Sequence, residues 1–361
     1  MMKVVYFNQW FSSITEVIKD LKERNKNNIR IIASSKNKDH AYKDVVDEFI
    51  IEDWEETSNK DESMYNYMNW LVKTCEEYRV DIFFAKKYSE TIAKNIDMLH
   101  TIGVFTVLDD YDILLELDNK ARVYEKLSVY NDMRDLIPDY FMGTNVEYIN
   151  SLIDKAADSK NTPWCFKLNS DEGGASFRQI EQRKLDLSSL SHFRVNCMGA
   201  NEAKELVNSI SKIGKDNLKK LLFMELLDSP EISVDCYNSK KGFIAICREK
   251  ISGTRVQRIY YNEEIAHLCQ IICSEYKLRF PFNVQFRIKH NKQVNSIENL
   301  RLLEINPRMS GGTYYSTLFG MNICNVCLMD LLNSQDKYNI DDFINFEERK
   351  VSHVEQAIII K

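Results

Sequence analysis

Glycine and proline are scarce in this sequence, with 11 and 5 among 361 residues. No apolar run reaches the roughly 20 residues that a membrane-spanning helix needs. The first residues, Met1–Phe7, turn polar too early for a signal peptide. The net charge is -6, so the chain lacks the excess of basic residues that is typical of nucleic-acid-binding proteins. We therefore expect a cytoplasmic protein that binds neither membranes nor nucleic acid.

Recognisable disulfide and zinc patterns are also missing. The cysteines number nine, which is odd, and they are scattered along the chain. Two spacings, Cys324-x-x-Cys327 and His267-x-Cys269 with Cys273 further on, lie in apolar helical patterns where buried thiols are common. No complete set of four zinc ligands is evident. We expect reduced thiols in the core.

The turn after the first predicted strand, Lys3–Phe7, contains no glycine. Short apolar runs alternate with helical patterns as far as Leu108, which predicts a parallel sheet covered by helices. This arrangement is similar to a dinucleotide-binding domain, but Asn8–Ser13 lacks the glycine fingerprint that binds a dinucleotide phosphate. The sequence therefore argues against an NAD-dependent enzyme.

After Leu108 the alternation of short apolar runs with helical patterns ends. We predict long helices at Tyr111–Tyr130 and Tyr315–Leu332, consecutive strands in an antiparallel sheet from Leu221 to Tyr260, and a closing strand at Val354–Ile360. At roughly 150 residues per domain, the length allows two or three domains. We place an N-terminal α/β domain at residues 1–114 and a second domain at 115–361, whose smaller lobe covers about 120–225 and whose C-terminal lobe covers about 226–361.

The segment Leu302–Arg308 places Glu304 and Asn306 two residues apart on a predicted strand. Side chains at this spacing lie on the same face, so their oxygens converge on one point. Gln285 on a neighbouring predicted strand offers a third oxygen, and such hard ligands suit Mg²⁺. Arg308 follows the strand end, where a planar cation can bind a phosphate. The alternative, a polar strand end closed by a proline turn, is equally compatible with these residues.

A predicted strand that contains Lys167 leads into a small polar loop with Gly173, Gly174 and Ser176. Adjacent glycines allow backbone N–H groups to approach phosphates closely, and Lys167 would add a positive charge. An ordinary hairpin loop is the competing interpretation.

Further along, Glu225 ends a predicted strand, and Leu227 and Glu231 follow. Such a connector can present backbone groups and the carboxylate of Glu225 to an adenine edge. The carboxylate of Glu231 can accept hydrogen bonds from ribose hydroxyls. Glutamates in this setting are also common on solvated surfaces.

Arginines after the next strands offer a further candidate site. Arg255 and Arg258 form either a clamp for the carboxylate of an acceptor substrate or a charged strand face, and the residues alone leave both open. Lys86 follows a strand at the sheet edge where α/β proteins bind ligands, and a solvated helix start is the alternative.

Taken in order, these motifs resemble the ATP-grasp superfamily. The pattern is similar to the carbamoyl phosphate synthetase and biotin carboxylase branch, and more loosely to D-alanine–D-alanine ligase. The resemblance covers residues from about 115 to the C-terminus, and it departs from biotin carboxylase in having only two glycines in the loop. It implies a parallel-sheet pre-ATP-grasp domain followed by a two-lobed ATP-grasp domain with antiparallel sheets, which is an α/β and α+β fold.

The resemblance also implies roles for individual residues. The nucleotide phosphates would be bound by Lys120, Lys167, Gly173, Gly174 and Ser176. Adenine would be bound by Glu225 and the backbone near Leu227, and ribose by Glu231. Mg²⁺ would be bound by Gln285, Glu304 and Asn306, with Arg308 on the transferred group and Arg255 near the acceptor.

The implied activity is a ligase that uses ATP and Mg²⁺ to join a small carboxylate to an amine through an acyl phosphate. Two alternatives stay open, which are phosphorylation of carbamate or bicarbonate and a nucleotide-binding regulatory protein without turnover. A homodimer is the default expectation for the quaternary state.

Overall fold

The computed structural model describes residues 2–142, 145–158, 163–170, 176–181, 196–251, 253–293 and 296–352. The chain divides into two compact units. The first unit comprises Met1–Leu115, Ser233–Val284 and Asn306–Lys361, and the second comprises Glu116–Ile232 and Gln285–Ile305. The closing strand predicted at 354–360 lies outside the described residues.

A parallel sheet and the helices that connect its strands form the N-terminal part of the first unit. Its elements are β1 (Lys3–Asn8), α1 (Ile14–Arg24), β2 (Ile29–Ser35), β3 (Glu48–Ile51), α2 (Lys60–Glu77), β4 (Ile82–Phe84), α3 (Ser89–Lys94), α4 (Ile96–Thr101), β5 (Phe105–Val107) and α5 (Tyr111–Asp118). The strand order is β3-β2-β1-β4-β5, and every pairing is parallel. Val5 and Phe7 enter one apolar core and Tyr6 enters another, as the alternation of side chains along a strand requires. The predicted parallel sheet is confirmed.

The second unit contains a mixed five-stranded sheet. Its elements up to residue 225 are α6 (Lys120–Leu127), α7 (Asn131–Arg134), β6 (Tyr140–Met142), α8 (Val146–Asp158), β7 (Trp164–Leu168), β8 (Arg178–Glu181), β9 (Cys197–Gly199), α9 (Ala200–Ile213) and β10 (Leu221–Glu225). The order is β6-β10-β7-β8-β9, and β10 runs antiparallel to both of its neighbours. Apolar faces of α8 and α9 pack into the same core as this sheet.

The remaining strands form a six-stranded sheet. Its elements and the following helices are β11 (Leu227–Ser239), β12 (Gly242–Lys250), β13 (Val256–Tyr260), α10 (Glu263–Tyr276), β14 (Phe282–Lys289), β15 (Leu300–Asn306), α11 (Thr313–Thr317), α12 (Ile323–Leu331), α13 (Asp341–Ile344) and β16 (Arg349–Ser352). The order is β15-β14-β11-β12-β13-β16, and β13 pairs antiparallel with β12 and β16. The prediction of one antiparallel run from Leu221 to Tyr260 was wrong in one respect, because β10 belongs to the other sheet.

Both long predicted helices are interrupted. Asn119 has an extended backbone and its side chain accepts a hydrogen bond from the backbone N–H of Arg122 at 3.1 Å, so α6 begins anew after α5. Between α11 and α12, Gly320 has a φ of 82°, a left-handed conformation that glycine tolerates. Asn322 then caps α12 by accepting from the N–H of Asn325. Polar caps inside an apolar pattern therefore divide each predicted helix in two.

All nine cysteines are buried as free thiols. Burial raises the pKa of Cys75 and of Cys165 to about 12, so these thiols stay protonated at neutral pH. Among the described residues, no group of three or more His, Cys, Asp or Glu side chains is placed to hold a metal ion. Within the same residues, every helix is too short or too polar to cross a membrane.

Candidate functional site

The predicted site residues are distributed over both units. Those in the second unit are Lys120, Lys167, Ser176, Glu225, Leu227, Glu231, Gln285 and Glu304. Those in the first unit are Arg255, Asn306 and Arg308. Gly173 and Gly174 lie outside the described residues.

In the second unit, Lys120 and Glu304 come together although they are far apart in the sequence. Lys120 is the first residue of α6 and is 6% exposed, and its Nζ lies 4.0 Å from Oε2 of Glu304 on β15. Tyr124, one turn further along α6, is fully buried and donates a hydrogen bond to the carbonyl oxygen of Leu303 at 2.8 Å. This bond holds α6 against β15, and thereby places the lysine beside the carboxylate.

Asn169 connects this lysine to the strand that carries Lys167. Its Oδ1 accepts a hydrogen bond from the N–H of Ala121 at 2.9 Å, and its Nδ2 donates to Oδ1 of Asn119 at 2.6 Å. Its carbonyl oxygen also accepts from Nζ of Lys120 at 3.5 Å. Sequence reasoning missed Asn169, although its place directly after a strand with an inward-facing lysine is a usable signal.

The second lysine, Lys167, is buried near the first. Burial and then the positive charge of Lys120 lower its pKa to about 8, while the carboxylate of Glu304 acts in the opposite direction. The charged form of Lys167 is stabilised when an anion binds beside it. The arrangement therefore suits a multiply charged anion such as a polyphosphate.

Ser176 and Glu225 both make contacts within the protein. Oγ of Ser176 accepts a hydrogen bond from the N–H of Leu168 at 2.8 Å, which fixes the end of β7. The buried carboxylate of Glu225 accepts from the N–H of Asp139 at 3.1 Å and lies 3.4 Å from Nε of Arg301, both through Oε1. If Glu225 accepts a hydrogen bond from an adenine amine, the accepting atom would therefore be Oε2.

Arg287 links the other residues that were predicted near the nucleotide. It lies two residues beyond Gln285 on β14, and its Nη1 donates to the carbonyl oxygen of Leu227 at 3.5 Å. Its Nε is 3.8 Å from Oε2 of Glu231. Sequence reasoning missed Arg287 as well, although it shares a strand face with Gln285.

Two of the predicted Mg²⁺ ligands, Gln285 and Glu304, belong to the second unit, and Asn306 belongs to the first. Gln285 and Glu304 lie on adjacent strands of one sheet, half-buried, and Asn306 is two residues beyond Glu304 on β15. One carboxylate oxygen and two amide oxygens would leave half of an octahedral shell to water and phosphate oxygens, as Mg²⁺ prefers. Because Lys120 is close to Glu304, we expect the metal to bind together with a nucleotide.

In the first unit, the loop that follows Arg308 is anchored by a buried arginine that the sequence analysis did not select. The side chain of Arg248 is 2% exposed, and its Nε lies 2.8 Å from Oδ2 of Asp235. Its Nη2 donates to Oγ of Ser310 at 2.6 Å, and Ser310 in turn donates to Asp235 at 3.0 Å. A Cβ atom added to Gly312 would lie 2.2 Å from Nη1 of Arg248, so any side chain there requires the guanidinium to move.

Of the two predicted clamp arginines, Arg258 pairs with Glu249 at 2.5 Å and with Glu348 at 3.1 Å, as a charged strand face does. Arg255 is exposed in the turn between β12 and β13. Its contact with an acceptor stays a prediction.

Residues 217–356 match a protein-family model described as ATP-grasp in the biosynthetic pathway with Ter operon. A comparison with curated protein sequences finds no match.

Several solved structures share the fold of the chain. N5-carboxyaminoimidazole synthetase from Staphylococcus aureus is 11% identical with a TM-score of 0.59, over 92% of this chain and 78% of that chain. The biotin carboxylase domain of Hydrogenobacter thermophilus 2-oxoglutarate carboxylase, solved with MgADP and bicarbonate, is 15% identical with a TM-score of 0.60, over 95% and 72%. Biotin carboxylase from Campylobacter jejuni, solved as a beta-gamma-ATP complex, is 12% identical with a TM-score of 0.60, over 93% and 73%. At these identities the likeness concerns the fold.

Proposed function

We infer that this chain, which has the ATP-grasp fold, is an ATP- and Mg²⁺-dependent ligase that joins a small carboxylate to an amine. The observation that carries this proposal is the cluster of Lys120, Lys167 and Glu304 in the second unit. The order of these residues along the chain is also the order of the corresponding motifs in the superfamily.

The proposed reaction has two steps. A substrate carboxylate oxygen attacks the γ-phosphorus of ATP, the bond from that phosphorus to the bridging oxygen breaks, and ADP leaves. The amine nitrogen then attacks the carbonyl carbon of the acyl phosphate, the C–O bond to phosphate breaks, and a proton is released with inorganic phosphate. Catalysis of this kind depends on positioning and charge neutralisation, so a nucleophilic side chain is not required.

Each residue has a role that follows from its charge. Lys120 and Lys167 bind phosphate oxygens and offset the repulsion between a triphosphate and an attacking carboxylate. Arg308 binds the transferred phosphoryl group, because a planar guanidinium presents parallel donors to two of its oxygens. Bound Mg²⁺, held by Gln285, Glu304 and Asn306, would supply Lewis-acid neutralisation of the phosphates.

Phosphorylation of bicarbonate or carbamate is the second candidate. It is favoured by one observation, the bicarbonate and MgADP that are bound to the Hydrogenobacter thermophilus domain of the same fold. Bicarbonate-dependent ADP release without any organic carboxylate would support this candidate over amide formation.

The proposal is tested by ADP release from MgATP across a panel of carboxylates and amines, with mass spectrometry for any new amide. We expect one pair to stimulate ADP release and to give an amide. Glu304→Gln should lower the turnover number at least about 100-fold, because the metal loses its only carboxylate ligand. Glu298→Gln, at an exposed residue of the same unit, serves as the matched control.

Two results would count against amide formation. ADP release without any amide would contradict it. Binding of MgATP without turnover on the whole panel would favour a nucleotide-binding regulatory protein.

A further inference from the structure

The first unit contains a small apolar recess at the carboxyl edge of its parallel sheet. It includes Ala85 and Leu108, which directly follow β4 and β5, and Trp10 in the loop after β1. Of the ten residues that line the recess, nine are apolar and the tenth is Arg308. The order of the strands along the chain reverses between β1 and β4, and α/β sheets bind ligands at such switch points.

The recess is smaller than a complete binding pocket. Its volume is about 280 Å³, part of which is open to solvent, whereas pockets for whole ligands measure roughly 300–1,000 Å³. The enclosed part has room for about one water molecule. A bound water needs roughly two to four polar partners, which apolar walls do not offer, and a methyl group of similar size needs none. The recess therefore suits a short aliphatic chain that is part of a larger ligand.

Hydrogen bonds hold the walls of the recess in place. Trp10 is buried, and its Nε1 donates to the carbonyl oxygen of Phe84 at 2.9 Å. The segment 279–281 is tied to the end of β5, because the N–H of Arg279 donates to Oδ1 of the buried Asp109 at 3.0 Å. Fixed walls give the recess a definite size, and an apolar pocket of definite size discriminates between ligands that differ by a methylene group.

The recess adjoins the proposed site of phosphoryl transfer. Pro307, Arg308 and Met309 all line it, and they directly follow β15. In the proposed reaction Arg308 binds the transferred phosphoryl group, and the acyl group of the intermediate is joined to that phosphorus through one oxygen. The carbon chain of the acyl group therefore begins only a few bonds from the group that Arg308 binds.

We propose that the apolar recess binds the aliphatic chain of the carboxylate substrate, and that this chain has about one to three carbon atoms beyond the carboxyl carbon. The proposal rests on the proposed ligase function and adds the class of acid that the enzyme uses. A charged or strongly polar chain would lose its hydration among the apolar walls without gaining hydrogen bonds. A much longer chain would exceed the space that the fixed walls enclose.

The probes are 2-oxoalkylphosphonates, R–CO–CH₂–PO₃²⁻, in which a methylene group replaces the bridging oxygen of an acyl phosphate. The chain R is varied from hydrogen through methyl, ethyl and propyl to pentyl. Isothermal titration calorimetry in the presence of MgADP measures their affinities. We expect the affinity to rise about fourfold for each of the first two carbon atoms, because each buries apolar surface. The pentyl probe should bind at least about tenfold more weakly than the best probe.

Two variants change the size of the recess in opposite directions. Met309→Ala enlarges it and should improve binding of the pentyl probe relative to the ethyl probe at least about tenfold. Met321→Ala is the matched control, since Met321 is 3% exposed like Met309 and lies in the same apolar core without lining the recess. Ala85→Val narrows the recess and should reduce the gain from hydrogen to ethyl to less than about twofold.

Four results would overturn the proposal. They are equal affinity for all chain lengths, affinity that still rises at pentyl, the same chain preference in Met309→Ala and Met321→Ala, and no binding of any probe. If chain length discriminates as expected but no carboxylate and amine together release ADP, the ligase function fails and the recess stands. If ADP is released and the probes bind without any chain preference, the recess fails and the ligase function stands.

Discussion

At the scale of single residues, the most informative group is the ammonium of Lys167. Its pKa of about 8 is set first by burial and then by the charge of Lys120. A phosphate that binds beside Lys167 favours the protonated form, so its pKa must rise in the complex. Nucleotide binding above pH 8 is therefore coupled to proton uptake, and below pH 7 the lysine is already charged.

We predict uptake of about 0.5 proton by Lys167 on binding of MgATP at pH 8, and more at pH 9. The affinity should fall by up to about tenfold per pH unit above pH 8. Titration calorimetry in buffers of different ionisation enthalpy measures the uptake, and Lys167→Met corrects for protons bound elsewhere. Proton release, or the same uptake in Lys167→Met, would contradict the assigned role.

At the residue level, the sequence allows a prediction where a motif marks the position, and it gives less where the partner of a residue is distant in the chain. Glu304 and Lys167 are recognisable from their strands and neighbours. Asn169 and Arg287 carry a weaker signal, which is their place beside a selected residue on or just after the same strand, because their importance lies in contacts with residues such as Asn119 and Glu231 that are far away in the chain. A single sequence does not show those contacts.

At the scale of elements, the loop after β15 depends on a buried ion pair. Arg248 interrupts an apolar run on β12 and is paired with Asp235 on β11, and its guanidinium lies against Gly312. A buried arginine held by a carboxylate has little freedom to move aside, because moving would leave both charges unpaired. A side chain at position 312 therefore destabilises the loop.

Gly312→Ala should lower the free energy of unfolding by about 1–3 kcal/mol, because the new methyl group overlaps the guanidinium of Arg248. The neighbouring substitution Gly311→Ala is the matched control, since its methyl group would meet only ordinary contact distances against Phe11. Urea unfolding of both variants measures the difference. Equal stabilities for the two variants would show that Arg248 does not constrain the loop.

Element boundaries were less predictable than element types. The apolar periodicity of residues 111–130 and 315–332 is continuous, so each segment was predicted as one helix. The caps at Asn119 and Asn322 depend on side-chain hydrogen bonds to the next turn, and asparagine is also common inside loops. The separation of β10 from β11–β13 was likewise hidden, because a strand pattern shows which face is buried but not which sheet it joins.

At the scale of the whole molecule, the expected α/β and α+β fold is confirmed, and it is shared with solved structures of N5-carboxyaminoimidazole synthetase and a biotin carboxylase domain. An ATP-grasp family model matches residues 217–356. The substrates are not predictable in this way, since function depends on site residues and loops that vary within one fold.

The most direct test of the account is titration of the protein with MgATP, comparing wild type with Lys167→Met. Lys155→Met, at an exposed position of α8 in the same unit, is the matched control. We predict saturable binding to one site at pH 7, weakened about 10- to 100-fold in Lys167→Met and unchanged in Lys155→Met. Absence of binding in the wild type, or equal affinity in Lys167→Met, would contradict the assignment of this cluster as the nucleotide site.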